Sequence, residues 1–175
     1  MNFRNQRRRG SGVPYIAHLL GVSSLVMEYG GDEDEAIAAL LHDAVEDQGG
    51  SKTLELIREQ FGDRVADIVE GCSDSFDGEP KLPWRERKEQ YLVSLTEASQ
   101  SVQLVALADK FHNLQCTVAD YEQIGDEVWD RFAGKKKGML WYYESLSNIP
   151  WTSRLLCDHF CGLLSDFKES GVEVQ

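Results

Sequence analysis

Apolar residues recur at three- and four-residue spacing through almost the whole chain, a period that admits helices and little else. Ile16, Leu19, Leu20, Val22, Leu25 and Val26 form one face of a helix predicted over residues 14–29. Pro14 suits its first turn, and Gly30-Gly31 stop it. A second helix is predicted over 33–47, with an acidic first turn that matches the helix dipole and a buried stripe of Ile37, Leu40, Leu41, Ala44 and Val45. Gln48-Gly49-Gly50 end it. Ser51 or Thr53 can cap a third helix through Phe61, and a fourth covers 63–73. A loop over 74–83 follows; connections of that length often carry function. Helices are then predicted over 84–96, 102–121, 126–132, 139–146 and 152–169, with Pro150 separating the last two. Strand-favouring runs are few. The reading is all-α, a helical bundle with short connections, and 175 residues suit a single domain over 1–175 around one core.

Charge and composition remove several classes of function. No apolar run approaches the roughly 20 residues of a membrane span, and the Met1-Asn2-Phe3-Arg4 start lacks the apolar core of a secretion signal. The chain therefore reads as cytoplasmic, with no membrane partner. A net charge of −12 argues against general nucleic-acid binding by phosphate neutralisation. Basic residues are nevertheless clustered, as Arg4, Arg7, Arg8 and Arg9 at one end and as Lys135-Lys136-Lys137. Local basic sites on an acidic protein suit a small, highly charged anion; the plainer alternative is a frayed tail and a solvated loop. Cys72, Cys116, Cys157 and Cys161 show no framework spacing. Cys157 and Cys161 lie one helical turn apart and could pair on a metal, but read better as half-buried helix residues carrying free thiols.

Ionisable residues interrupt the apolar pattern at three places. In Leu40-Leu41-His42-Asp43-Ala44-Val45-Glu46-Asp47, four such groups follow an apolar stretch. His42 and Glu46 share a helix face, as do Asp43 and Asp47. Imidazole nitrogen beside carboxylate oxygen suits divalent transition metals, and a second carboxylate pair one turn on can steer water or move protons. Carboxylates near a helix C-terminus oppose its dipole, so Glu46 and Asp47 break a local rule there. His18 sits among apolar residues near a helix start, where a structural histidine is the commoner outcome. Asp109 follows five apolar residues in Leu104-Val105-Ala106-Leu107-Ala108-Asp109 and should be buried, which calls for a partner or a metal. Lys110 is adjacent but faces another way on a helix, and His112 is a competing ligand candidate.

The order of these blocks resembles the HD-domain phosphohydrolase superfamily, and more closely its RelA/SpoT-type guanosine alarmone hydrolases in their small stand-alone form. The matching stretches are Gln6-Arg7-Arg8-Arg9-Gly10, Pro14-Tyr15-Ile16-Ala17-His18, Leu41-His42-Asp43-Ala44-Val45-Glu46-Asp47 and Ala108-Asp109-Lys110-Phe111-His112-Asn113, within about residues 6–145. The resemblance implies an HD-type bundle and an enzyme removing the 3′-pyrophosphate of guanosine tetra- or pentaphosphate (ppGpp), or of a related nucleotide. It implies one divalent ion on His18, His42, Asp43 and Asp109, manganese first, with Fe²⁺, Zn²⁺, Mg²⁺, Ni²⁺ or Co²⁺ as alternatives. It assigns Glu46 and Asp47 to water activation and proton transfer. Arg8, Arg9, Lys110, Asn113, Lys137 and Tyr142 would contact a small phosphorylated nucleotide. There are departures: Leu19 stands where many relatives have Pro, Gln115 where alarmone hydrolases commonly have Arg, and the helix common before the Gln6 position is almost absent, as in a shortened N-terminus. Two other readings follow from these departures: a non-catalytic nucleotide-binding module, and a phosphatase for another nucleotide such as NADPH. Oligomeric state, monomer or dimer, is open.

Overall fold

A computed structural model describes residues 6–8, 11–74 and 82–170. Among these the chain is helical, in the order α1 (Ile16–Glu28), α2 (Glu33–Leu41), α3 (Ala44–Gln48), α4 (Gly50–Phe61), α5 (Asp63–Cys72), α6 (Trp84–Glu97), α7 (Gln100–Ile124), a 3₁₀ turn (Gly125–Arg131), α8 (Lys135–Ser147) and α9 (Arg154–Glu169). The sole extended pairing among the described residues is an isolated bridge between Arg7 and Pro14. Pro14 therefore lies just ahead of α1 rather than in its first turn. The residues before Gln6, where a further helix was in question, lie outside the described residues.

α7 is the spine of the bundle. Every residue from Val102 to Asp109 is buried, so this part is enclosed on all sides. It packs against α1, α2, α5, α9 and the 3₁₀ turn. Ser99 caps it by accepting from the Val102 amide, so it starts slightly earlier than its apolar run.

The turn from α1 to α2 shows local chemistry fixing a site element. Gly30 adopts φ +88°, and the Gly31 amide donates to the Val26 carbonyl at 2.8 Å, closing α1. Gly31 is needed for space, since a Cβ there would stand 2.5 Å from a Val26 methyl. Asp32 then starts α2 with a reciprocal capping box to Glu35. The face of α1 is narrower than its sequence suggests: Leu19, Val22 and Val26 are buried, whereas Ile16 and Leu20 are 44% and 57% exposed.

The predicted second helix is in fact two. It breaks at His42-Asp43, where Asp43 sits at φ −93°, ψ −1°, and a new short helix, α3, begins at Ala44. This corrects the dipole reading of Glu46 and Asp47. Both occupy the first turn of α3, where carboxylates are favourable, not the last turn of a longer helix. The break has a physical cause in what its side chains do. Asp43 occupies an N-cap position yet makes no capping bond, because its carboxylate accepts from the Tyr15 hydroxyl and faces His42.

Candidate metal centre and its cavity

α1, the α2–α3 junction and α7 bring His18, His42, Asp43 and Asp109 together from three distant places in the sequence. His18, His42 and Asp109 are 2%, 3% and 4% exposed. His18 Nε2 lies 3.1 Å from Asp109 Oδ1 and 3.8 Å from Asp43 Oδ2. His42 Nε2 lies 3.0 Å from Asp43 Oδ2 and 3.6 Å from Asp109 Oδ1. Donors held about 2.1 Å from one ion stand roughly 3.0 Å apart at right angles and roughly 3.4 Å apart at tetrahedral angles. The 3.0 and 3.1 Å separations match the shorter edge, and those of 3.6 and 3.8 Å are a few tenths of an ångström longer than the tetrahedral one. One ligand atom from each of His18, His42 and Asp109 falls within a common 4.8 Å.

The tautomer of His42 supports the same reading. Its Nδ1 donates to the Ala39 carbonyl at 2.8 Å, which turns Nε2 toward the carboxylates as the atom that would ligate an ion in place of a proton. That buried Nε2 has no hydrogen-bond partner among the described residues. Two carboxylates face two imidazoles in this pit, and Lys110 pairs with one of the carboxylates. Burial opposes charging His42, but Asp43 and Asp109 outweigh it and hold its pKa well above the usual imidazole range. Burial likewise opposes ionising Asp109, yet Lys110 and His42 hold it well below the carboxylate range. Against the same burial, His42 brings Asp43 down to about 2. The fit to a divalent cation is therefore geometric and electrostatic together.

Lys110 differs from expectation. Its ammonium reaches back to Asp109 Oδ2 across one residue, because its flexible stem compensates for the helical rotation. His112 is not a competing ligand. Its Nδ1 meets His18 Nδ1 at 3.0 Å and Arg8 Nη1 at 3.4 Å, and its ring fills the space beside Gly21, where a Cβ would stand 2.3 Å from Nε2. It backs His18 instead. Burial, then the charges of His18 and Arg8, lower its pKa to about 4.

Glu46 lies beside this pit, with its Oε1 accepting from the Asp74 amide at 2.7 Å. Burial first, then the Asp74 carboxylate, raise it to about 7. Asp74 itself is anchored by Arg87 and Lys88, which pull its pKa down against burial. Asp47 is exposed and accepts from the Gln6 side chain. A cavity of about 240 Å³ lies next to the pit; its lining combines the polar Arg8, Lys88, Lys110 and Asn113 with the aromatic or apolar Trp84, Phe132, Met139 and Tyr142. Arg8 Nη2 donates to Asn113 Oδ1 at 2.8 Å, and the Asn113 amide donates to Asp109 at 2.6 Å, which ties the cavity wall to the pit.

Arg9 lies outside the described residues. Lys137 is exposed and does not line the cavity, since it stands about 200° around α8 from Met139, which does. Sequence reasoning missed Lys88, Trp84 and Tyr15. Tyr15 had a signal, being three residues ahead of His18, whereas Trp84 and Lys88 were absorbed as ordinary positions of α6. The Cys157 and Cys161 sulfurs are 3.9 Å apart as free, half-buried thiols, as the plainer reading has it.

Helices converging on a buried His-His-Asp cluster, with the second histidine followed directly by aspartate, define a class before any relative is consulted. The chain belongs to the HD domain family, whose profile matches residues 1–140. A Xenopus tropicalis protein named guanosine-3′,5′-bis(diphosphate) 3′-pyrophosphohydrolase MESH1 is 34% identical over 177 residues, covering 98% of this chain and 89% of its own. Its Homo sapiens counterpart is 32% identical over 174 residues, with the same two coverages of 98% and 89%. Among solved structures, lmo0812 of Listeria monocytogenes superposes with a TM-score of 0.74 at 30% identity, over 86% of this chain and 99% of that one. A metazoan ortholog of SpoT, described as hydrolysing ppGpp, gives a TM-score of 0.75 at 25% identity over 98% and 90%.

Proposed function

We propose that this protein is a metal-dependent pyrophosphohydrolase that removes the 3′-pyrophosphate of guanosine 3′,5′-bis(diphosphate) or a closely related nucleotide. The single observation that carries the reading is the cluster of His18, His42, Asp43 and Asp109, bonded through Asp109 to Lys110 and Asn113 in the lining of a basic cavity. The relatives named for that reaction supply the substrate. Those four residues would hold one divalent ion, manganese first, which when bound supplies Lewis acidity toward a phosphoryl oxygen and a more acidic water.

The chain's own groups account for the remaining chemistry. Glu46, raised to about 7, is poised to take a proton from the attacking water near neutral pH. Asp47 carries that proton outward or returns it to the leaving oxygen. Water adds to the phosphorus next to the ribose 3′ oxygen, the bond between them breaks, pyrophosphate leaves, and the 3′ oxygen takes up the proton. Arg8 binds phosphate oxygens, with Asn113 fixing its guanidinium. Lys88 and Lys110 add positive charge to the cavity lining. The small nucleotide is the partner in this scheme, and the site of action is the cytoplasm. Among the described residues no helix is long and apolar enough to cross a membrane.

The test is product analysis by phosphorus NMR after incubation with manganese. The reading requires free pyrophosphate and a guanosine 5′-diphosphate; release of inorganic phosphate alone would move the assignment to a phosphatase.

A further inference from the structure

The cavity beside the metal cluster is lined by two kinds of side chain, the polar Arg8, Lys88, Lys110 and Asn113 and the aromatic or apolar Trp84, Phe132, Met139 and Tyr142. Phosphates account for the polar residues only. Two features of the aromatic residues point to a ligand. The Tyr142 hydroxyl is buried, on a residue 4% exposed, and has no hydrogen-bond partner among the described residues. A buried hydroxyl without a partner is costly, and a ligand atom would relieve that cost.

The second feature is how Trp84 is seated. Gly134 has an ordinary φ of −74°, so nothing in its backbone calls for glycine. A Cβ there would stand 2.6 Å from the far end of the Trp84 indole, and one at Gly138 would stand 3.0 Å from it. The two missing side chains, one helical turn apart, make a slot into which the indole sinks. Trp141 and Tyr142 hold it edge to face at centroid distances of 6.2 and 6.3 Å. Arg85 covers Trp141 from outside, 3.1 Å from the ring centroid. A large aromatic plane is thus fixed on the cavity wall with little freedom left to lose on binding, the arrangement that makes stacking effective.

We infer that Trp84 and Tyr142 form a nucleobase subsite, with the base stacked on the Trp84 indole and one of its polar edge atoms bonded to the Tyr142 hydroxyl. Trp84 is a specificity-determining residue here, not a catalytic one. The ligand class is a purine nucleotide with phosphates on the basic lining residues. This rests on the proposed function for the presence of a nucleotide, and adds which protein surface reads the base.

The experiment uses the full chain with the Glu46→Gln substitution, so that bound nucleotide stays intact. The probes are guanosine 5′-diphosphate 3′-diphosphate and inorganic pyrophosphate, titrated by calorimetry with manganese present. Trp84→Leu should weaken nucleotide binding about tenfold or more, as loss of an aromatic stacking partner does, and leave pyrophosphate binding unchanged. Trp84→Phe should recover most of the loss. Gly134→Ala, which fills the slot, should reproduce the Trp84→Leu defect with Trp84 still in the chain. Thermal melts of each variant establish that it is folded. Equal nucleotide binding by Trp84→Leu and its parent, or equal weakening toward nucleotide and pyrophosphate, overturns the subsite and leaves the proposed function standing. No nucleotide binding by the parent protein overturns both.

Discussion

Glu46→Gln separates the cost of the site from its use. Folding puts Glu46 where burial and the Asp74 carboxylate disfavour its ionised form, raising its pKa from 4.5 to about 7. A raised pKa means that the folded state holds a proton which the unfolded state has released. The stabilising contribution is complete below about pH 4.5 and is lost as pH rises toward 7. At 1.36 kcal/mol per unit, the loss comes to about 3 kcal/mol. Glutamine is neutral at every pH, and its carbonyl oxygen can still accept from the Asp74 amide. The variant should therefore gain about 3 kcal/mol on the parent between about pH 4.5 and about pH 8. Urea denaturation with a chelator present, followed by far-UV circular dichroism, measures this difference directly. Turnover with manganese should fall to background in the same variant, since no carboxylate remains to accept the water's proton. A stability difference that does not change with pH, or a variant less stable than its parent at about pH 8, would refute the reasoning.

Removing Asp109 should have the opposite sign. Asp109→Ala leaves Lys110 buried without its counter-charge and should destabilise the protein by about 3–5 kcal/mol in urea melts. Gly21→Ala should cost about 1–3 kcal/mol and weaken metal binding, because the new Cβ overlaps the His112 ring that backs His18. Manganese should raise the melting temperature of the parent in proportion to the logarithm of its concentration, and His42→Ala should abolish that dependence. Arg8→Ala should raise KM with little change in melting temperature, since Arg8 bonds to Asn113 at the cavity mouth and carries no core packing; a fall in kcat alone would count against its place as a phosphate contact.

The helices were legible because burial imposes a period on the sequence, and most predicted boundaries lie within a few residues of the observed ones. Ser99 extended α7 by a cap that apolar periodicity does not see. The break at His42-Asp43 was hidden for a different reason. Helix propensity and apolar spacing both run unbroken through it, and the interruption exists because Asp43 serves Tyr15 and His42 rather than its own helix. Of the site, the buried histidines and Asp109 stood out as polar residues in apolar company. Trp84 and Lys88 did not, because an aromatic or a lysine on an amphipathic helix has many uses, and only the fold shows both facing one cavity. Lys137, suggested as a substrate contact by a basic run near an aromatic, is exposed and stands apart from the residues that line the cavity.

The central claim is that one ion held by His18, His42, Asp43 and Asp109 serves hydrolysis of the nucleotide. Its most direct test measures bound metal and pyrophosphate release on the same samples of the parent and of His42→Ala. The account predicts one manganese per parent chain with steady release of pyrophosphate from guanosine 3′,5′-bis(diphosphate), and the loss of both together in the variant. Full turnover by a variant that binds no metal would contradict it.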